Sequence, residues 1–258
     1  MNTQTFAEPS SSGRRRRRSR RRASPAAKFL SYIWPSDVSA ARKLGVWVSV
    51  AALVWLSAHA AALGLAHLQV LRVENQLAYW YKRGEVASSA SMVSALKAIE
   101  QANRLHPDNP YQLTLQARLL EWRAYNGGNI VPQDYRDALR LHQRAAALRP
   151  LWPDSWADMA QLKIRLGEFD GDLDHYLTRA DQLGPYTPAV HLAIAQANLP
   201  RLPTLSGGQQ ELLKTHLIRG VQDHRTKNQV IGLVEQYNRQ PQVCPWLEGE
   251  KHFQKLCK

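Results

Sequence analysis

The chain has 258 residues, 44% of them apolar, and a formal charge of +13. Residues 1–43 hold eleven Lys or Arg against Glu8 and Asp37, so +9 belongs to that tail and only +4 to everything after it. The high isoelectric point therefore describes a terminal segment and excludes a uniformly basic folded domain.

Met1 to Pro25 is rich in Arg, Ser and Pro and poor in apolar residues, so it cannot bury enough surface to order itself. Its arginine run, Arg14 to Arg22, admits three readings. It could neutralise nucleic-acid phosphates, rest on anionic lipid, or act as a topology signal. No aromatic residue alternates with the arginines and no RNA-binding module accompanies them. Topology and lipid are the expected roles, and nucleic acid is set aside.

Leu44 to Leu71 contains no Asp, Glu, Lys or Arg. As a helix its 28 residues would extend about 42 Å, more than the roughly 30 Å of bilayer hydrocarbon. It shows no polar face, unlike the helices of soluble proteins. The expectation is one transmembrane helix. Lys28, Arg42 and Lys43 on its amino side place the tail in the cytoplasm and the larger carboxyl-terminal part across the membrane, in a bacterium the periplasm. Ala58-His59-Ala60 fits a small-x-small cleavage site, but the apolar run continues to Leu71, which favours an uncleaved anchor. A twin-arginine export signal fits less well, because over twenty residues separate Arg22 from the apolar core. Ala60 and Gly64 place small residues four apart, where helices approach closely. His59 lies near mid-bilayer and is expected to face protein.

A repeat follows. Ala95-x3-Ile99-x2-Ala102-x4-Pro107 and Ala138-x3-His142-x2-Ala145-x4-Pro150 share their spacing, and Asp172-x3-Tyr176-x3-Ala180 ends at Gly184-Pro185. Each proline falls where a helix must stop, and each alanine where two helices cross. Pro153 opens a further helix, in which Trp156-x2-Met159-Ala160 matches the W-x2-L-G slot of a tetratricopeptide unit. Tyr79 occupies the aromatic slot of the first unit, so the repeats begin almost where the span ends, and a stiff joint is expected. The first interval is longer by about nine residues, assigned to a turn-rich insertion at Asn126 to Pro132.

From about Gln76 to Leu199 the chain resembles the tetratricopeptide family. The resemblance implies a right-handed superhelix whose concave groove takes a peptide or a partner helix. Mapped by slot, Tyr111, Thr114, Arg118, Glu121, Asp154, Gln161 and Arg165 would line that groove.

Leu205 to Gln209 spells LSGGQ, the signature of ATP-binding cassettes, but the chain has no G-x4-G-K-[ST]. Its simpler reading is a helix start, with Ser206 as cap and Gln209 completing a capping box before Leu212 and Leu213. Gln210 to Lys258 should form two or three helices. One carries the stripe Val230, Ile231, Val234 and Tyr237, and the last runs from Trp246 to Leu256. This segment would cap the repeats. Cys244 and Cys257, the only thiols, are expected to bridge in an oxidising compartment, closing a loop that contributes roughly 3 kcal/mol. The alternative is two unpaired buried thiols. Only His252 stands nearby as a further ligand, too few for a metal site. No catalytic constellation, cofactor motif or metal motif is found, so the chain is not expected to be an enzyme.

The stretch Ala145 to Glu168, with Ala180 to Val190, Leu77-Ala78-Tyr79-Trp80 and the Cys244 region, looks like the VpsP family: small single-span tetratricopeptide proteins associated with bacterial exopolysaccharide biosynthesis. The resemblance covers roughly residues 44–258 and brings no catalytic residues. The expected protein is thus all-α. A basic cytoplasmic tail (1–43) and a transmembrane helix (44–71) precede three tetratricopeptide-like helix pairs (72–203) and a helical cap (204–258). Its expected role is an inner-membrane scaffold that holds a protein partner in a polysaccharide assembly. The alternative is an assembly factor for pili, secretion or cell division.

Overall fold

The computed structural model describes residues 39–126, 132–247 and 257. Every regular element among them is helical. The chain divides into two compact units, Met1–Ser57 and Ala58–Lys258. The division falls inside one helix, α1, Ala40–Arg83. Among the described residues α1 is the one helix long and apolar enough to cross a membrane. In the first unit its apolar side chains, such as Leu44, Leu53 and Trp55, are exposed.

The second unit continues with α2 (Ser89–Leu105), α3 (Pro110–Asn126), α4 (Pro132–Leu148), α5 (Pro153–Leu166), α6 (Gly171–Leu183), α7 (Pro188–Asn198), α8 (Gly207–Gln222) and α9 (Lys227–Gln236). A short α10 (Gln240–Val243) and a 3-10 turn at Cys244–Leu247 follow. The start and stop signals are local. Ser88 caps α2 in a reciprocal box with Ser91, and Asp170 caps α6 through the Leu173 amide. Gly167 ends α5 at φ +71°, the left-handed conformation that glycine adopts without strain. Ser206 accepts from the Gln209 amide and the Gln209 side chain returns to the Ser206 amide, so LSGGQ is a capping box here.

Three turns share one form. Pro107 and Pro110, Pro150 and Pro153, and Pro185 and Pro188 each bracket two residues, the second proline opening the next helix at its first position. Neighbouring helices pack in sequence: α2 on α3, α3 on α4, α4 on α5, α5 on α6, and α7 on both α5 and α8. Three apolar clusters follow the same order along the stack. The repeat slots Ala95, Ile99, Ala102, Ala138, His142, Ala145, Tyr176 and Ala180 are all buried, whereas Asp172 is exposed. On α1 burial starts at Ala66 and recurs at Val70, Val73, Leu77 and Trp80, so the helix enters the core before its charge-free run ends at Leu71.

Polar clamps hold the hairpin ends. Arg123 makes paired bonds of 2.8 and 2.6 Å to Asp134, joining α3 to α4 across residues 127–131. Most of the expected insertion, Asn126 to Pro132, lies outside the described residues. The buried Lys163 ammonium meets Glu168 at 2.7 Å and Asp170 at 2.6 Å, fixing the turn from α5 to α6. Val230 and Val234 of the terminal stripe are buried, with Ile231 and Tyr237 half-buried beside them. Cys244 and Cys257 form a disulfide, their Cα atoms 5.6 Å apart. Of the expected final helix, Trp246 and Leu247 belong to the 3-10 turn, and residues 248–256 lie outside the described set.

Gly184 sits where the second and third Pro-x2-Pro turns meet. A Cβ there would fall 2.6 Å from Pro153 Cβ and 2.4 Å from Thr187 Oγ1, and the proline ring cannot swing away. Gly184→Ala should therefore destabilise the fold by about 1–3 kcal/mol. Gly171→Ala, whose Cβ meets nothing within 4 Å, should be near neutral. Thermal unfolding of both variants in detergent checks the contrast.

Candidate functional site

The longest polar stripe on α3 runs Tyr111, Thr114, Arg118, Glu121 and Tyr125, a 3-4-3-4 spacing that keeps one face. Its counterpart on α5 is Asp154, Asp158, Gln161 and Arg165. These two faces, with the end of α1, form the candidate site.

The structure treats the expected groove residues unequally. Glu121 lies near Arg118 and lines one cavity with Arg165. Arg118 lies 3.8 Å from Asp158, and Glu121 Oε1 lies 3.5 Å from His142 Nε2. Arg165 is exposed, with its guanidinium 5.7 Å from the Tyr135 ring centre. Tyr111 is exposed too, but its hydroxyl donates to Glu74 of α1. Thr114 is buried and its hydroxyl bonds the Pro110 carbonyl of its own helix, so it presents nothing to a ligand. Asp154 and Gln161 are half-buried on α5.

A cavity of about 280 Å³ opens among Tyr81, Gly84, Glu121, Trp122, Tyr125 and Arg165. Trp122 is its aromatic centre. Tyr81 meets it edge-on at 5.3 Å with planes 73° apart, and Tyr125 at 5.7 Å and 88°. Perpendicular rings leave π faces open to a third group. Burial pushes the Tyr81 phenol above its usual range, against the pull of Arg118, so it remains a neutral donor. Tyr81, Trp122, Tyr125, His142 and Asp158 were not assigned to the groove from sequence. Continuing the 3-4 spacing one step past Glu121 reaches Tyr125, and filling the gap between Asp154 and Gln161 reaches Asp158.

Behind this rim Arg118, Asp158, His142 and Glu121 stand close together. His142 is fully buried, with Nε2 toward Glu121 and Nδ1 3.8 Å from Asp158. At that distance Nδ1 has no hydrogen bond among the described residues. Desolvation raises the Asp158 carboxyl above the ordinary range, while His142 and Arg118 oppose it. Among the described residues no group of three His, Cys, Asp or Glu could hold a metal ion.

A second polar chain lies deeper in the stack. Asp181 Oδ1 is 2.9 Å from His216 Nε2, and His216 Nδ1 is 2.9 Å from His191 Nδ1. An ionised Asp181 requires a proton on His216 Nε2. A neutral His216 then accepts at Nδ1, so His191 donates from its own Nδ1. Desolvation, reinforced by His216, Arg219 and Arg225 and opposed by Asp223, lowers His191 to about 4. These rings are walled in by α7 and α8 and form a core joint, not part of the groove.

No protein-family model matches the chain, and no curated protein matches it.

The His191 chain makes a signed prediction. Unfolded His191 titrates near 6.5 and folded His191 at about 4, so between those values the unfolded state binds more protons. Stability should be complete above pH 6.5 and fall as pH drops toward 4, by about 3 kcal/mol at most. His191→Asn keeps a donor near the Nδ1 position without titrating. Its unfolding free energy relative to the native chain should improve steadily as pH falls through that window. A constant difference would refute the assignment.

Proposed function

We propose that the protein is a membrane-anchored scaffold whose helix pairs form a tetratricopeptide-like solenoid and hold a protein partner in a surface-polysaccharide assembly. The observation that carries this reading is the shared cavity. Tyr81 comes from α1, Glu121, Trp122 and Tyr125 from α3, and Arg165 from α5: the first helices of three consecutive hairpins converge on one concavity. Stacked hairpins generate such concave binding surfaces. The Pro-x2-Pro period and the buried alanine slots support the same arrangement. The resemblance to the VpsP family supplies the polysaccharide setting. The uncharged run of α1 supports a single span, and the cations before it support a cytoplasmic amino terminus, a periplasmic repeat domain and contact of Arg14 to Arg22 with anionic lipid.

The cavity suits an anchor side chain more than a reaction. Its carboxylates are engaged by His142 and Arg118, which leaves aromatic faces and the Arg165 guanidinium for a ligand. Aromatic and arginine contacts are typical anchors of protein interfaces. A photo-crosslinking residue at the exposed Tyr125 should therefore trap a polymerase or export component of a polysaccharide system in intact membranes. Adducts confined to pilus, secretion or division proteins would favour the alternative client. A reporter active only outside the cytoplasm, fused after Lys258, should be active. Silence there, with activity at the amino terminus, would reverse the orientation.

A further inference from the structure

The three Pro-x2-Pro turns lie side by side at one end of the helix stack. Tyr111, in the first turn of α3, bonds Glu74 of α1. Asp108, in the first Pro-x2-Pro turn, accepts from Arg144 of α4 at 3.0 Å. Gly184 in the third turn abuts Pro153, which closes the second. The row therefore starts beside Glu74, three residues beyond Leu71, where the charge-free run of α1 stops.

Apolar surface and protein packing overlap at that level. Ala66 and Val70 are buried in the hairpin core, whereas Leu65, Leu68 and Leu71 on the same helix stay exposed. α2 runs back alongside, with Gln69 of α1 and Gln101 near the end of α2 lining one groove. The second and third turns then expose large side chains: Leu151 is 74% exposed, Trp152 50% and Tyr186 71%. Each ring carries an arginine. The Arg149 guanidinium lies 5.1 Å from the Trp152 ring centre, and Arg219 4.6 Å from that of Tyr186. Arg149 Nε is buried, and Arg219 Nη1 donates to the Pro185 carbonyl at 3.0 Å, so a phosphate contact falls to the other guanidinium nitrogens. Solvent-facing apolar side chains gain nothing in water. Trp and Tyr beside Arg at the level where an apolar helix ends is the composition of a membrane–water interface.

We propose that this row of turns rests in the headgroup layer of the bilayer that α1 crosses. Leu151, Trp152 and Tyr186 enter the lipid boundary, and Arg149 and Arg219 meet lipid phosphates. The contact holds the repeats against the membrane at a second place besides the span. It rests on reading α1 as a span.

The test uses the full chain in vesicles of phosphatidylethanolamine and phosphatidylglycerol. Single cysteines at Leu53, Leu151, Tyr186 and Phe169 carry a nitroxide, the native cysteines being bridged. Phe169 is exposed on the turn at the opposite end of α5, roughly 20 Å from Trp152 along the helix. Accessibility to oxygen is compared with accessibility to a water-soluble nickel chelate. The expected result is hydrocarbon depth at Leu53, and chelate accessibility at Leu151 and Tyr186 several-fold below that at Phe169. If Leu53 is deep but Leu151 or Tyr186 matches Phe169, the headgroup contact is wrong and the span stands. If Leu53 also matches Phe169, the span fails and this contact fails with it.

Discussion

Ala66, Val70, Val73, Leu77 and Trp80 are spaced 4-3-4-3 and are all buried. That is the near-3.5 period that keeps a seam facing its neighbours. The rest of the stack depends on this seam. A hairpin in a helical array cannot bury its apolar face alone and needs the unit on either side. α1 supplies the first face, against which Met92, Ile99 and Leu119 close. The seam tolerates one uncompensated polar atom, since Trp80 Nε1 has no partner among the described residues. Such a group costs about 1–3 kcal/mol. The retained indole gives Trp122 a ring to pack on at 6.2 Å, which links the first hairpin to the cavity rim.

From the seam outward, the structure separates polar groups by task. The Lys163, Arg123 and Arg239 contacts satisfy charges or carbonyls at helix ends. The Asp181, His216 and His191 chain joins the third hairpin to the helices after it. Neither reaches the groove. The groove network is different because the fully buried His142 stands between two partly covered carboxylates, Glu121 and Asp158, and Asp158 faces the half-exposed Arg118. A ligand that engaged Arg118, the most exposed member, would alter the electrostatic balance at Asp158 and His142.

Much of this was legible from residue spacing. Alanine and proline marked the helix crossings and stops, because a small side chain and a missing N–H have the same consequence in any sequence. Ser206 and Gln209 could be read as a cap for the same reason. The seam on α1 was not legible. Its first two members lie inside an all-apolar run, where periodicity has no polar contrast to register against. Thr114 was misplaced in the groove because spacing gives a face, while the hydroxyl found the Pro110 carbonyl one turn back. The aromatic rim was missed because Tyr81, Trp122 and Tyr125 come from two helices whose proximity only the fold establishes.

The positions of the rim and the turns along the helices bear on how a partner would be met. Tyr81 lies two residues before the end of α1, Tyr125 one before the end of α3, and Arg165 one before the end of α5. The Pro-x2-Pro turns precede the starts of α3 and α5. From Tyr111 to Tyr125 is fourteen residues, about 21 Å of helix. On the proposed reading, one end of the stack faces lipid and the cavity opens at the other. A partner would then be gripped by its water-exposed part, about a helix length beyond the headgroups, and not by its membrane spans. That separation suits aromatic and guanidinium anchors, which bind from water by shedding hydration, and it leaves the small-residue face of Ala60 and Gly64 to any contact made within the bilayer.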